Sequence, residues 1–361
     1  MVNLEIIDGL LGGAIQALRL DESISEIMFN EDGTIWTERA GVLEQQPIRV
    51  EQNVLLTAIQ TIARTVKDDF SESKPILDAR LADGSRVAAL HASCTLGAHA
   101  LTIRKFQPQR WTLERLIVAQ AITAEMVATV YQAILDHKNV LISGGTGTGK
   151  TTMLNALAGM IPVEDRICLI EDTSEIQLRA PNLNHYQARR EQTDNHNNVL
   201  TPAITMRDLL KAALRHRPDR IILGEIRGDE AFELLQALNT GHGGTFSTIH
   251  ANSTTQALSR LTDLVLQSGT QIPYEIVQRQ TALVVHVLVH IQRTNSRRYV
   301  SELAIVEGYD RATAQFRVKI LYKAQSQLPS NTDSLAALHA ATSRHFPMPT
   351  PSSGPPPPSD S

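Results

Sequence analysis

The stretch Gly144-Gly145-Thr146-Gly147-Thr148-Gly149-Lys150-Thr151 follows the pattern G-x-x-x-x-G-K-[ST] at every position. Glycine at such spacing allows the backbone to turn tightly, so that successive N–H groups point inward at a triphosphate. Lys150 is expected to reach the β- and γ-phosphates, and the Thr151 hydroxyl to ligate Mg²⁺. The expected binding segment for ATP therefore runs from Gly144 to Thr152. A chance glycine turn would also give this text, but the context favours the cradle. Val140-Leu141-Ile142 reads as a short buried strand before it, and a helix is expected from Thr151 to Met160. That helix brings the positive end of its dipole to the same spot.

Hydrolysis further requires groups that position water and metal at the γ-phosphate. Ile221-Ile222-Leu223-Gly224-Glu225 is an apolar strand ending in a carboxylate. Strand ends beside the cradle face the nucleotide crevice, so Glu225 is a candidate to orient the attacking water or to hold Mg²⁺ through water. The Asp that usually precedes such a Glu is replaced by Gly224, which argues against a directly bound Asp. Glu171-Asp172-Thr173-Ser174-Glu175 follows the expected strand Arg166–Ile170, and parallel strands would bring these carboxylates to the same crevice. Asp172 or Ser174 could instead cap a following turn or helix. In Gly241-His242-Gly243-Gly244-Thr245-Phe246-Ser247-Thr248-Ile249-His250-Ala251-Asn252, His250 falls at another strand end. It is there either to sense a γ-phosphate or to make a structural hydrogen bond. His286 and His290 stand at i and i+4 on an expected strand face, but no third ligand accompanies them, and satisfied histidines are the expectation.

These groups need a scaffold. Helix and strand alternate from about Leu113: Ala124–Leu135 capped by Thr123, strands at Val140, Arg166, Arg220 and Thr245, and helices at Met206–Arg215 and Asp229–Leu238. That rhythm predicts an α/β fold with a parallel sheet. Ala282–Val289, Val300–Glu307 and Gln315–Leu321 are expected as antiparallel strands at its edge. Residues 10–105 read as a smaller α+β domain. Strands are expected around Ile24–Phe29 and Thr34–Glu38, a helix at Val54–Val66, and further strands in Ile76–Leu90 and Ala100–Ile103. Residues 106–118 are expected to link the two, with the α/β domain over 119–327. From 328 to 361 regularity fades, and residues 347–361 hold seven prolines, a pattern of disorder or polyproline II.

Across 361 residues, 42% hydrophobic and 20% charged composition is that of a globular chain. A net charge of −4 offers no global basic field for nucleic acid or anionic lipid. Cys94 and Cys168 alone exclude a disulfide scaffold or a CxxC zinc site, and suit a reducing cytosol. The N-terminus lacks the basic region of an export signal, and the apolar run Thr281–Ile291 is too short to span a bilayer, so any membrane role is expected to be peripheral.

Taken together, the cradle, the acidic box Glu171–Glu175, the strand Arg220–Glu225 continuing into Ile226-Arg227-Gly228, and the histidine box Gly241–Asn252 resemble the secretion ATPase superfamily. That superfamily serves type IV secretion, type II secretion and type IV pili, and it tolerates Gly before the Walker B Glu. Ala82-Asp83-Gly84-Ser85-Arg86-Val87 and Leu101-Thr102-Ile103-Arg104-Lys105-Phe106 look like its N-terminal domain and nucleotide-facing linker. The opening Ser25-Glu26-Ile27-Met28-Phe29-Asn30 looks most like the VirB-type, TrbB-like branch. The resemblance implies a RecA-like P-loop domain with a smaller N-terminal α+β domain and a homo-hexameric ring. Its implied catalytic set is Lys150, Glu225, Glu171, Glu175 and His250, with Arg227, Arg104 or Arg86 completing the charge balance. Each arginine is equally open to a structural ion pair.

The implied activity is Mg²⁺-dependent ATP hydrolysis powering secretion or conjugative transfer. The ring would be cytoplasmic and peripheral at the inner membrane, with channel components and a coupling ATPase as partners. Alternatives are a pilus-assembly ATPase, or a nucleotide-gated ring with incidental hydrolysis. A DNA translocase is disfavoured by the acidic balance, and direct nucleic-acid binding is not expected.

Overall fold

The computed structural model describes residues 4–39, 41–106, 111–189, 191–193, 199–294 and 297–324. The Pro-rich tail and parts of the expected linker and of the polar stretch 189–198 lie outside the described residues. The chain divides into two compact units, one built from residues 1–110, 173–175 and 189–205, the other from 111–172, 176–188 and 206–361.

In the first unit, α1 (Leu4–Leu11), α2 (Gly13–Leu20) and α3 (Gln52–Thr65) accompany six strands. These are β1 (Ile24–Phe29), β2 (Ile35–Arg39), β3 (Val42–Gln46), β4 (Ile76–Arg80), β5 (Arg86–Leu90) and β6 (Ala100–Arg104), in the order β3-β2-β1-β6-β5-β4. Ile24, Ile27 and Phe29 are all buried, although a spacing of three breaks strand alternation. A register shift between Ile24 and Glu26 reconciles them, because one extra residue returns the next side chain to the same face. The buried stripe Leu55, Ala58, Ile59, Ile62 and Ala63 of α3 has the 3.6-residue period that lays one helix face on the core.

The second unit holds α4 (Leu113–Val118), within the stretch expected as linker, and α5 (Ala124–Leu135), whose Thr123 side chain accepts from Met126 N as a cap. β7 (Val140–Gly144) leads to α6 (Lys150–Ala158), followed by β8 (Ile167–Glu171) and β9 (Leu183–Gln187). A short ribbon, β10 (Gln192–Thr193) with β11 (Val199–Thr201), falls in the first unit. The second unit resumes with α7 (Met206–Ala213), β12 (Arg220–Ile226), α8 (Glu230–Asn239), β13 (Phe246–His250), α9 (Thr254–Gln267), α10 (Tyr274–Val284), β14 (Val287–Arg293), β15 (Arg298–Asp310) and β16 (Gln315–Lys323).

Among the described residues its sheet has eight strands in the order β16-β15-β14-β7-β13-β12-β8-β9. The strands from β14 to β9 pair in parallel, and β15 and β16 complete the edge antiparallel. Both faces are covered, so the central strands are apolar without interruption. Ile167 and Leu169 enter one core layer with α5 and α6, while Cys168 and Ile170 enter the other with α7, α8 and α9.

Two expectations require correction. Ala282–Val284 ends α10 rather than starting a strand, and β14, although antiparallel to β15 as expected, is not at the edge but pairs in parallel with β7 on its other side. An apolar run without charges is compatible with a buried helix or a buried strand, and here it crosses from one to the other. Nor does any helix follow Asp172 or Ser174, where the chain bends and then runs without a regular element up to β9.

Arg220, at the start of β12, is 1% exposed, and its Nε donates to Asp165 Oδ2 at 2.7 Å. It packs under Gly244, where φ is +74° and a Cβ would stand 2.6 Å from Arg220 Nη1. A Cβ on Gly243 would stand 2.8 Å from His137 O. These two glycines of the histidine box thus serve packing at the strand beginnings, whereas His250 stands at the strand end. Gly244→Ala combines left-handed strain with overpacking and is expected to destabilise the protein by about 2–4 kcal/mol. Urea unfolding checks this, and an unchanged midpoint would refute the packing account.

Candidate active site

The phosphate loop joins β7 to α6, and its shape depends on specific close approaches. A Cβ on Gly144 would lie 2.6 Å from both Ile291 O and Thr148 Oγ1. Gly147 and Gly149 adopt φ of +68° and +94°, conformations that favour glycine. Gly149 is the N-cap of α6 and gives no side-chain cap, which leaves the first-turn N–H groups of the helix without that competitor for an anion. Thr148 Oγ1 donates to Gly145 O at 2.9 Å, bracing the turn from inside. Thr146 is exposed, while Thr151 and Thr152 are half-buried on the first turn of α6.

Lys150 is 8% exposed, and its Nζ donates to Gly144 O at 3.2 Å and Gly145 O at 3.1 Å. Burial lowers its pKa, the Glu225 carboxylate opposes that, and Arg227 adds to it. His250 closes on the same ammonium, with Nδ1 3.2 Å from Lys150 Nζ. Its Nε2 stands 2.8 Å from Glu225 Oε1. The other Glu225 oxygen, Oε2, accepts from Arg227 Nε at 2.8 Å, and Arg227 Nη1 lies 4.0 Å from Asp172 Oδ2. Register explains the meeting: β13 places His250 opposite Gly144 of β7, and β12 runs beside β13. Lys150, His250, Glu225, Arg227 and Asp172 thus form one cluster of ionisable groups at the C-terminal ends of four adjacent parallel strands, β7, β13, β12 and β8, the place where such sheets bind ligands.

Glu171 has a different environment. It is 2% exposed, with Oε1 accepting from Ile176 N at 2.9 Å and Oε2 lying 2.7 Å from His185 Nε2. Its carboxylate anchors the chain that follows β8. Its stem also explains Gly224, since a Cβ there would lie 3.1 Å from Glu171 Cγ. The other expected site residues belong to the first unit: Arg86 Nη1 lies 3.4 Å from Glu175 Oε1, and Arg104 Nε lies 3.7 Å from Glu26 Oε1.

His286 precedes β14 rather than sharing a strand face with His290. Its Nδ1 accepts from Asn139 N at 3.1 Å, whereas His290 Nδ1 is 2.9 Å from Ser143 Oγ. Both rings are satisfied. Arg293 and Arg298, which sequence reasoning passed over, reach the phosphate loop from the β14–β15 hairpin, with Arg298 Nε donating to Gly147 O at 3.0 Å. That contact joins residues 151 positions apart and leaves no local signal.

Partial desolvation, then the Lys150 ammonium, hold the His250 pKa below the ordinary imidazole value, with Glu225 opposing. His99, His286 and His290 are lowered too, chiefly by burial. A depressed native pKa means that the unfolded chain takes up protons first on acidification. The stabilisation is therefore complete above about pH 6.5 and is lost as pH falls through the native values. His250→Gln is expected to reduce the drop in urea midpoint between about pH 7.5 and about pH 5.5. A drop equal to that of the wild type would contradict this assignment.

The fold and site define a P-loop nucleotide hydrolase of RecA-like architecture with a smaller N-terminal α+β domain. The family model described as "Type II/IV secretion system protein" matches residues 12–323. The conjugal transfer protein TrbB of Rhizobium radiobacter is 32% identical over 293 residues, covering 80% of this chain and 85% of the relative. The type IV secretion system protein VirB11 of Brucella suis is 32% identical over 313 residues, covering 78% and 86%. Among solved structures, the ATPase DotB of Legionella pneumophila superposes with a TM-score of 0.56 at 19% identity, covering 86% of this chain and 82% of that one, and it supports the fold. The chain belongs to the type II/IV secretion system protein family and is an ATP-hydrolysing member of it.

Proposed function

We propose that the protein is a hexameric, Mg²⁺-dependent ATPase that powers type IV secretion or conjugative transfer from the cytoplasmic face of the inner membrane. The supporting observation is the convergence of Lys150, His250 and Glu225, within hydrogen-bonding or ion-pair distance of one another, on the phosphate loop. The transfer role draws support from relatives named for conjugal transfer and type IV secretion. No helix among the described residues is long and apolar enough to cross a membrane, and the proposed attachment is peripheral, to channel components and a coupling ATPase.

In this reading the amides from Gly145 to Thr152 and the Lys150 ammonium grip the phosphates, Lys150 exchanging its two carbonyl partners for phosphate oxygens. Glu225 orients water for attack on the γ-phosphate and takes its proton, while His250 and Arg227 balance charge on the transferring group. Thr151 and, through water, Glu225 offer the hard oxygen donors that suit Mg²⁺, which would offset the charge on the phosphate oxygens. Glu171 is proposed to shape the acidic box that follows β8.

A ring gated by nucleotide, with hydrolysis incidental, remains a second reading because Glu225 Oε2 is held by Arg227 and Oε1 faces His250 Nε2 at 2.8 Å. The discriminating measurement is transfer efficiency in cells carrying Glu225→Gln alongside Mg²⁺-dependent turnover and particle mass of the purified protein. The motor reading expects six-fold rings, turnover that needs Mg²⁺ and loss of transfer in the variant. Full transfer with no turnover would overturn the motor reading in favour of the gate.

A further inference from the structure

The β14–β15 hairpin closes over the phosphate loop at its two left-handed glycines. Arg293 and Arg298 are register partners across that hairpin. A Cβ on Gly147 would lie 3.3 Å from Arg293 Nη1, and one on Gly149 would lie 3.6 Å from Arg298 Cδ. Arg298 Nε donates to the Gly147 carbonyl at 3.0 Å. A trans peptide is planar, so its C=O and N–H point in opposite directions. Whatever holds the Gly147 carbonyl toward the hairpin therefore aims the Thr148 N–H away from it. Rotation of that peptide turns ψ of Gly147, which has no Cβ to oppose it, together with φ of Thr148, whose hydroxyl is tied to Gly145 O. Turned over, it would present a carbonyl oxygen to a polyanion in place of a donor.

We propose that Arg298 is a positioning residue for the phosphate loop: its hydrogen bond to the Gly147 carbonyl sets the Thr148 N–H as a donor to bound polyphosphate. The inference rests on the nucleotide reading above and adds to it a residue outside the sequence boxes that define the site. The side chain is exposed, so its replacement does not open the core.

Calorimetric titration of the full chain with Mg·ADP tests the proposal in wild type, Arg298→Ala, Arg298→Gln and Arg298→Lys. Loss of a hydrogen bond from a charged donor predicts about ten-fold weaker binding in Arg298→Ala, or more. Arg298→Gln keeps a neutral donor and is expected to recover part of the affinity, with the same ratio to wild type at low and high salt. In turnover assays KM for ATP rises more than kcat falls, because the contact prepares binding rather than the chemical step. Binding by Arg298→Ala within about two-fold of wild type would overturn the proposal, since that is below one such hydrogen bond. So would a loss cured by Lys but not by Gln that vanishes at high salt, the mark of charge alone. Failure of the wild type itself to take up Mg·ADP would instead reject the nucleotide reading, which separates the two failures.

Discussion

Lys150→Ala is expected to reduce ATP hydrolysis by about 10³-fold while leaving the fold intact. An ammonium about 4 Å from a phosphate oxygen, at an effective dielectric of about 20, is worth about 4 kcal/mol, or about three decades. Solvent does little to screen it, because Lys150 is 8% exposed. The amides of the loop survive the substitution, so weak nucleotide binding persists. The hydrogen-bond partners of Lys150 include the carbonyls of Gly144 and Gly145, which lie within the loop itself. Removal of the positive charge also relieves the depression of the His250 pKa, to which Lys150 contributes after desolvation. Steady-state turnover, with circular dichroism as the fold control, checks the prediction. Turnover within about ten-fold of wild type would mean that phosphate clamping resides elsewhere in the loop.

The features legible in the sequence share one property: their cause is local. The cradle is a contiguous text, and the Thr123 cap is a hydrogen bond over three residues, so α5 begins and ends where periodicity puts it. Apolar runs mark β7, β8, β12 and β13, because strands buried on both faces need no alternation. What escaped is long-range. β3 has four exposed residues of five and shows no alternation, since an edge strand in contact with solvent need not carry one. The Glu171 carboxylate reads as a free member of an acidic box until β9 aligns in parallel with β8 and brings His185 to it. Gly224 looks like a missing metal ligand in the sequence, and in three dimensions it is the space that the Glu171 stem occupies. Gly243 and Gly244 belong by text to the histidine box, and by contact to His137 and Arg220.

Glu225→Gln is expected to separate binding from chemistry. The amide keeps the volume of the carboxylate and its capacity to accept from Arg227, but it cannot take a proton from water, and such proton transfer is worth about 10²–10⁴-fold. Turnover should therefore fall by about 10³-fold, as in Lys150→Ala, with the opposite effect on affinity. A carboxylate beside a γ-phosphate repels it, so the amide should bind ATP as well as wild type or more tightly, whereas Lys150→Ala binds it poorly. The contrast does not depend on either rate alone. Arg227 and His250, which now lie against the two Glu225 oxygens, lose their anionic partner in the variant and become available to phosphate, which moves affinity in the same direction. Filter binding of Mg·ATP beside phosphate release measures both quantities on one preparation. If Glu225→Gln lost binding as Lys150→Ala does, the carboxylate would be a support of the loop through His250; if it retained wild-type turnover, the water would be oriented by another group.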